Sequence, residues 1–241
     1  HYSIEAFSEG LYYGSPLPSG RGKESGAVFG GNLTLERDLG ENHLLFATLA
    51  RGYKAGGANI AAFLEAGDPL TYGDETLWNY ELGLRSRWLD GALTSTVTAF
   101  YLDRSDAQLR DSAGAGGFFR YFTSNQGDAE HLGLEAETRW YVSDNWTLST
   151  GIGLLDTKLY ATGRELSNSP SYTYSASVSY SGNNGVFGSL ELTGRDEYFE
   201  SNSTGNNQQR DTYSLVNTAI GYKYEDWTFS LWARNFLNED Y

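Results

Sequence analysis

The stretch that decides the fold is Glu75–Asp106, ETLWNYELGLRSRWLDGALTSTVTAFYLDRSD. From Leu77 to Trp88, apolar residues alternate with polar or small ones. A period of two predicts a strand with one apolar and one charged face. The segment Leu89-Asp90-Gly91 suits a tight hairpin turn, and the alternation resumes after it. Each arm holds roughly a dozen residues, against about 5–6 in a usual strand.

Arms of this length are long enough to cross a membrane, because a strand tilted by about 45° spans a bilayer in ~9–11 residues. Trp78 and Trp88 stand near the arm ends, where an interfacial aromatic girdle places such residues. This hairpin alone also fits a soluble β-sandwich or solenoid, because alternation is common to all half-buried strands. Repetition along the chain decides between these readings.

Composition removes several classes of protein. The 241 residues are 39% hydrophobic with a mean hydropathy of -0.48. No apolar run approaches the roughly 18 residues of a transmembrane helix, so only a closed barrel could cross a bilayer. The absence of cysteine excludes a disulfide scaffold and a thiolate metal site. The formal charge of -14 argues against a nucleic-acid partner.

Strand-like segments recur along the chain, and short turns alternate with long loops. Short turns are predicted at 40–42, 89–91, 143–145, 182–185 and 225–226, and long loops at 8–25, 54–74, 104–117, 160–171 and 200–212. Bacterial outer-membrane barrels carry short turns on one rim and long loops on the other. The sequence therefore predicts an all-β, antiparallel up-and-down transmembrane β-barrel of about eleven strands, including one long strand over 118–142 with a bulge near 125–128.

Four segments carry a family likeness. They are Arg51–Gly57 (RGYKAGG), the Asn79–Tyr101 hairpin (NYELG, LDG and AFY), Leu132–Glu137 (LGLEAE) and Ala233–Tyr241 (ARNFLNEDY). In this order they resemble motifs in the barrels of TonB-dependent outer-membrane receptors. The resemblance implies that residues 1–241 are the C-terminal portion of a barrel of 22 strands, without a plug domain and one strand short of its end.

The resemblance also implies a function. Such a protein lies in the outer membrane of a Gram-negative bacterium and takes up a bulky, scarce nutrient, with a ferric siderophore as the first expectation. Its implied partners are outer-membrane lipid, its own plug domain, the nutrient itself and TonB, which a segment preceding this chain would contact. No cofactor and no resident metal are expected. The alternative is a passive porin or a structural or adhesive barrel, which would need no plug.

Two groups of candidate site residues follow. The first group lies on polar strand positions and is expected to line the lumen and face the plug. It consists of Glu81, Arg85, Arg87, Glu135, Glu137 and Arg139. These charges could instead pair with one another across strands.

The second group is expected at the loop rim, where ligand capture belongs. It consists of Arg110, Arg120, Tyr121, Arg195, Glu197 and Tyr198. Arginine offers forked donors to carboxylate or catecholate oxygens, and tyrosine adds a rigid contact face. The alternative is that these are solvated loop residues.

Catalysis finds little support in the sequence. The three histidines are far apart and form no HExxH pair, and no GxSxG turn is present. Glu135 and Glu137 share a face simply because strand side chains repeat every two residues. An outer-membrane lipase or protease would need a nucleophile and a base that the sequence does not offer, so the prediction is that the protein is not an enzyme.

Overall fold

A computed structural model describes residues 1–8, 11–12, 15–16, 20–60, 64, 68–113, 120–201 and 208–240. Within these residues the chain forms twenty β-strands and a 3-10 turn at Leu89–Gly91. The strands are β1 (Tyr2–Ser8), β2 (Leu11–Tyr12), β3 (Ser15–Pro16), β4 (Gly20–Gly26), β5 (Gly31–Asp38), β6 (His43–Lys54), β7 (Gly57–Ala58), β8 (Thr71–Tyr72), β9 (Glu75–Trp88), β10 (Leu93–Ser105), β11 (Gln108–Ala113), β12 (Arg120–Asn125), β13 (Ala129–Tyr141), β14 (Trp146–Leu159), β15 (Tyr172–Ser181), β16 (Val186–Arg195), β17 (Tyr198–Phe199), β18 (Gln209–Arg210), β19 (Tyr213–Tyr224) and β20 (Trp227–Ala233). Among the same residues, no helix is long and apolar enough to cross a bilayer.

Ten of the strands form one antiparallel sheet, in the order β20-β19-β16-β15-β14-β13-β10-β9-β6-β5. Its neighbouring long strands follow one another along the chain, which confirms the predicted up-and-down arrangement. The strand β1 lies outside this sheet and pairs with β4 in a separate two-stranded sheet. In the described part of the chain, β5 and β20 each have one paired neighbour, so the sheet is an open piece of a barrel wall.

The strand register gives the sheet two chemically different faces. Val97 of β10 lies opposite Leu84 of β9, and the adjacent Thr96 lies opposite Arg85. The same alternation continues from β13 through β19. We call the side of Leu84 and Val97 the apolar face, and the side of Arg85 and Thr96 the polar face.

The apolar face carries large side chains that protein does not cover. Leu82, Ile220 and Leu231 are 56%, 60% and 77% exposed. A contiguous apolar surface of this kind marks a contact with membrane or partner, because soluble monomers rarely expose one. Aromatic residues stand along its short-turn margin; they are Trp88, Trp140, Trp146, Tyr180, Tyr222 and Trp227. This margin has the composition of an interfacial girdle.

The polar face uses glycine to accommodate phenylalanine. Phe46 lies opposite Gly83, and Phe100 lies opposite Gly133. A Cβ atom on either glycine would overlap the facing phenylalanine ring. These glycines are therefore required by close side-chain approach across the strand pair.

The loop end of the sheet differs from the prediction, because most of the predicted long loops contain hairpins. The loop at 8–25 includes β4, the loop at 54–74 includes β7 and β8, the loop at 104–117 includes β11, and the loop at 200–212 includes β18. The prediction of one strand over 118–142 is wrong: β12 ends at Asn125, and β13 begins at Ala129. Gly127, at a φ of +89°, interrupts the strand there, in a conformation that favours glycine.

A small apolar core lies at this loop end of the sheet. Its buried members are Ala107, Leu109, Ala129, Leu159 and Leu166. They come from the β10–β11 junction, from β13 and β14, and from the segment that follows β14. The core therefore fastens loops from different hairpins to the top of the sheet.

Candidate functional site

Glu75, the first residue of β9, is buried at the loop end and only 1% exposed. Arg104 donates two hydrogen bonds to its carboxylate, from Nε to Oε1 at 2.9 Å and from Nη2 to Oε2 at 3.0 Å. Lys54 Nζ lies 3.1 Å from Oε2, and the backbone N–H of Gln108 donates to the same oxygen at 2.7 Å. One carboxylate thus joins β6, β9, β10 and β11.

These donors also determine the ionisation of the group. Burial raises the pKa of the Glu75 carboxyl, but the hydrogen bonds from Arg104 and the Gln108 amide outweigh it and leave the pKa below its ordinary value. The carboxylate is therefore ionised at neutral pH. The two guanidinium hydrogen bonds form the bidentate geometry that gives such a pair its strength.

Two side-chain amides extend this junction into the neighbouring hairpins. Gln108 Nε2 donates to the carbonyls of Ala55 at 3.0 Å and Gly73 at 2.8 Å. Asn125 accepts from the Gly73 N–H at 2.7 Å and donates to the Asp106 carbonyl at 2.8 Å. We call the β7–β8 and β11–β12 hairpins, together with these contacts and Glu75, the hairpin junction.

Arg110 and Tyr121 of the predicted ligand group come together on the β11–β12 hairpin. The guanidinium carbon of Arg110 lies 4.2 Å from the centre of the Tyr121 ring. Both residues line a cleft of about 460 Å³, which also includes Asn59, Ile60 and Tyr72. The side chain of Arg120 lies outside the described part of the chain.

Arg195 and Tyr198 of the same group also come together, at the end of β16. The Arg195 guanidinium lies between two rings, 4.3 Å from the centre of Tyr198 and 4.8 Å from that of Tyr213. Nη2 donates to the Tyr198 hydroxyl at 2.7 Å, whereas Nε is buried without a hydrogen-bond partner. These residues line a second cleft of about 520 Å³, together with Glu200 and Arg210.

Glu197 lies next to this stack in the chain but outside it. Its backbone N–H donates to the Thr212 hydroxyl at 3.1 Å, and it does not line the second cleft. The Arg110–Tyr121 pair lines the first cleft and the Arg195–Tyr198 pair lines the second, and among the described residues the two clefts share no lining residue. The predicted ligand group therefore forms two separate arginine–tyrosine stacks, and its part in binding a ligand stays a prediction.

The predicted lumen group shares the polar face. Two of its members, Arg85 and Glu137, lie on either side of Thr96 in the neighbouring strands. Arg85 lies 4.0 Å from Glu36 and 4.7 Å from the Phe46 ring centre, so its acidic neighbour comes from outside the group. No ion pair links the six predicted residues with one another in the described part of the chain. Their contact with a plug stays a prediction.

Sequence reasoning missed the hairpin junction. Lys54, Glu75 and Arg104 each stand where a predicted strand meets a predicted loop, and nothing local reveals that they meet. The only signal was their common position at strand ends on the same rim. Since antiparallel neighbours share a rim, that position could have placed them together.

Comparison with known proteins assigns the chain to a family. The family described as TonB dependent receptor-like, beta-barrel matches residues 6–236. The chain belongs to this family of receptors and forms part of its β-barrel domain. Members of the family are outer-membrane proteins of Gram-negative bacteria, so the apolar face meets outer-membrane lipid.

Curated relatives include two pesticin receptors. The one from Yersinia pestis is 29% identical over 252 residues, which cover 95% of this chain and 35% of the relative. The one from Yersinia enterocolitica is 30% identical over 233 residues, which cover 88% of this chain and 32% of the relative. The chain thus spans about a third of the length of these relatives.

Solved structures share the fold at lower identity. The ferric yersiniabactin uptake receptor FyuA from Yersinia pestis has a TM-score of 0.75 at 22% identity, covering 94% of this chain and 34% of that one. The copper transporter OprC has a TM-score of 0.78 at 14% identity, covering 99% of this chain and 38% of that one.

Proposed function

We propose that this chain supplies part of the wall and mouth of a receptor that takes up a ferric siderophore across the outer membrane. The observation that carries the proposal is the pair of arginine–tyrosine stacks at the loop end of a receptor-family barrel. The name of FyuA, which refers to ferric yersiniabactin uptake, supports the choice of cargo.

The chemistry of the stacks suits an anionic chelate. Arg110 and Arg195 each present a guanidinium against a tyrosine ring, which leaves forked donors for carboxylate, phenolate or catecholate oxygens. The first cleft can therefore attract a ligand anion by charge, because Arg110 is the one charged residue among the described residues that line it. The second cleft combines Arg195 and Arg210 with Glu200, Asp211 and Asp240, so there the paired donors of Arg195 and the stacked tyrosine rings would select the ligand.

The hairpin junction gives the first cleft a rigid support. Asn59 Nδ2 donates to the Thr123 carbonyl at 2.9 Å, and the Thr123 N–H donates to Asn59 Oδ1 at 2.8 Å, which ties the β7–β8 hairpin to the β11–β12 hairpin. Binding groups on fixed elements lose less conformational entropy on binding. Arg110 accordingly captures ligand on a prearranged surface.

The polar face supplies the surface for a plug domain. Arg87, Glu135, Glu137 and Arg139 point to the side away from lipid and form no ion pair with other described residues. Both signs are present, so a plug with complementary charges can pair with them. TonB, contacted by a segment outside this chain, then supplies the energy that moves the plug.

We also propose that residues 1–241 are a C-terminal portion of a barrel of about 22 strands. The ten-stranded sheet with two open edges supports this, because a wall left open would expose unpaired backbone groups in lipid. The remaining strands would complete those edges.

Uptake of iron tests the proposal. A strain that lacks the receptor is complemented with the full-length gene and given ⁵⁵Fe loaded on a panel of purified siderophores. We expect uptake with at least one of them, and loss of that uptake when the proton gradient is collapsed. Arg110→Gln and Arg195→Gln should each lower the affinity about tenfold, because each removes a charge-assisted hydrogen bond.

The control is Lys23→Gln, which removes an exposed cation that pairs with Glu5 at 3.2 Å and lies outside both clefts. Its uptake should equal that of the unaltered receptor. Uptake that continues without a proton gradient would replace energy-coupled transport with passive diffusion. Unchanged affinity in both arginine variants would remove the stacks from the binding site.

The likeness to a copper transporter suggests a second cargo, but the composition argues against it. This chain has neither cysteine nor methionine, the soft ligands that select copper(I). Within the described residues, no group of three or more His, Asp or Glu side chains could hold a metal ion. Residues 1–241 thus supply neither a thiolate nor a thioether ligand for copper(I).

A further inference from the structure

One cation on the apolar face has no role in the account so far. Arg51 lies opposite Trp78, three residues before the loop end of β6. The next pair towards the short turns on this face is Leu49 and Tyr80. Arg51 thus stands at the border between the lipid-covered surface and the loops.

The guanidinium of Arg51 is held on aromatic rings. Its carbon lies 4.0 Å from the centre of the Phe29 ring and 5.8 Å from that of Trp78. Nη1 donates to the Phe29 carbonyl at 2.8 Å, which fixes the orientation of the group. Phe29, Tyr53 and Trp78 are 68%, 48% and 38% exposed. A fixed guanidinium therefore lies within an exposed aromatic patch.

No protein carboxylate neutralises this charge within the described residues. The carboxylate on the same register row is Asp103, which lies beyond Trp78 and about 10 Å away at the usual strand spacing. Lys158 is also a loop-side cation of the apolar face, but it differs from Arg51 because Glu130 lies directly opposite it. Arg51 is thus a cation at a lipid boundary that needs a counterion from outside the protein.

We propose that Arg51, with Phe29, Tyr53 and Trp78, binds the phosphate of a lipid headgroup in the outer leaflet. The planar guanidinium donates paired hydrogen bonds to phosphate oxygens, and the aromatic rings lie at the level of the headgroup and upper acyl chain. The loop end of the barrel faces outwards, so the lipid belongs to the outer leaflet. The site anchors the barrel wall beside the hairpin junction.

The test uses the full-length receptor in nanodiscs of phosphatidylcholine, titrated with diphosphorylated lipid A and followed by native mass spectrometry. We expect Arg51→Gln to raise the dissociation constant for this lipid about tenfold. Lipid A from which both phosphates have been removed should bind weakly and equally to the variant and to the unaltered receptor.

The matched control is Arg37→Gln, which removes an exposed cation from the apolar face of β5 near its short turn. It should leave lipid A affinity unchanged. An equal loss in both variants would overturn the site, as would unchanged affinity in Arg51→Gln. Competition by millimolar inorganic phosphate as strong as that by lipid A would also overturn it, since the aromatic patch would then add nothing.

A second variant keeps the test decisive if Arg51→Gln does not form a folded barrel. Arg51→Lys keeps the charge but loses the forked geometry. A rise in the dissociation constant of about threefold or more supports the site. Unchanged affinity of Arg51→Lys for lipid A contradicts recognition of the phosphate by the forked guanidinium.

Discussion

Removing the charge of Glu75 should open the hairpin junction without unfolding the barrel wall. Glu75→Gln keeps the shape of the side chain and one carbonyl oxygen, so the Gln108 N–H can still donate. Arg104, whose side chain is 13% exposed, loses its counterion in a buried place. Lys54, at 54% exposed, can turn into solvent and loses little.

The free-energy cost of Glu75→Gln follows from the difference in burial between Arg104 and Lys54. Removing one partner of a buried ion pair costs about 3–5 kcal/mol, because the other charge stays buried and uncompensated. We take about 3 kcal/mol, since the glutamine oxygen retains part of the hydrogen bonding. In local opening, that free energy corresponds to roughly a hundredfold faster amide exchange.

Hydrogen–deuterium exchange of the purified receptor measures the opening directly. In Glu75→Gln, peptides that contain Gln108 and Gly73 should exchange roughly a hundredfold faster, while peptides of β14 and β15 stay protected. The double variant Glu75→Gln with Arg104→Met should recover much of the protection, because no buried charge then remains.

Glu5→Gln is the matched control. It breaks an ion pair in which Lys23 and Glu5 are 65% and 74% exposed, and such pairs contribute about 0–1 kcal/mol. Exchange at Gln108 should not change in this variant. A change of less than about threefold in Glu75→Gln, or an equal change in Glu5→Gln, would refute the role of burial in the junction.

The direction of the pH effect is fixed by the lowered pKa of Glu75. Its contribution to stability is present above the unfolded pKa of about 4.3 and is lost as the pH falls through the folded value. Protection of Gln108 should therefore decline on acidification.

Three further predictions follow from individual contacts. Gly83→Val places methyl groups where a phenylalanine ring lies and should destabilise the barrel by about 1–3 kcal/mol in urea unfolding, whereas Gly31→Val, where a Cβ meets open space, should have little effect. Tyr160 donates to Glu130 at 2.6 Å, which raises the pKa of Tyr160 to about 12, so an absorbance titration of Glu130→Gln should show this tyrosine ionising at lower pH. Asn125→Ala leaves the Gly73 N–H without its partner, and exchange of that amide should quicken by about tenfold or more; protection equal to that of the unaltered receptor would remove Asn125 from the junction.

The wall could be predicted from the sequence because its determinants are local. The alternation of apolar and polar residues between Leu77 and Trp88 predicts a lipid side and a polar side, and each short turn indicates where a strand ends. The sequence also placed Glu135 and Glu137 on one face, since period two alone decides that.

The loop end could be predicted less well because long-range contacts decide it. Asn125 forms hydrogen bonds with Gly73, about fifty residues away in the chain, and no sequence pattern near Asn125 predicts this partner. The break between β12 and β13 depends on Gly127, which reads equally as a bulge within one strand. Pairing Arg110 with Tyr121 requires the register of the β11–β12 hairpin, and the first strand of that hairpin lies in the predicted loop at 104–117.

The most direct test of the central claim is a spin-label scan along β13 in the full-length receptor. Single cysteines are placed from 132 to 137, in a stretch of the receptor whose residues 1–241 contain no cysteine. The accessibility of each label to oxygen and to a water-soluble nickel chelate is then measured. We predict that Leu132 and Leu134 are reached by oxygen from lipid, and that Glu135 and Glu137 are reached by the chelate from water. A uniform profile, or one in which the glutamate positions face lipid, would contradict the assignment of the two faces.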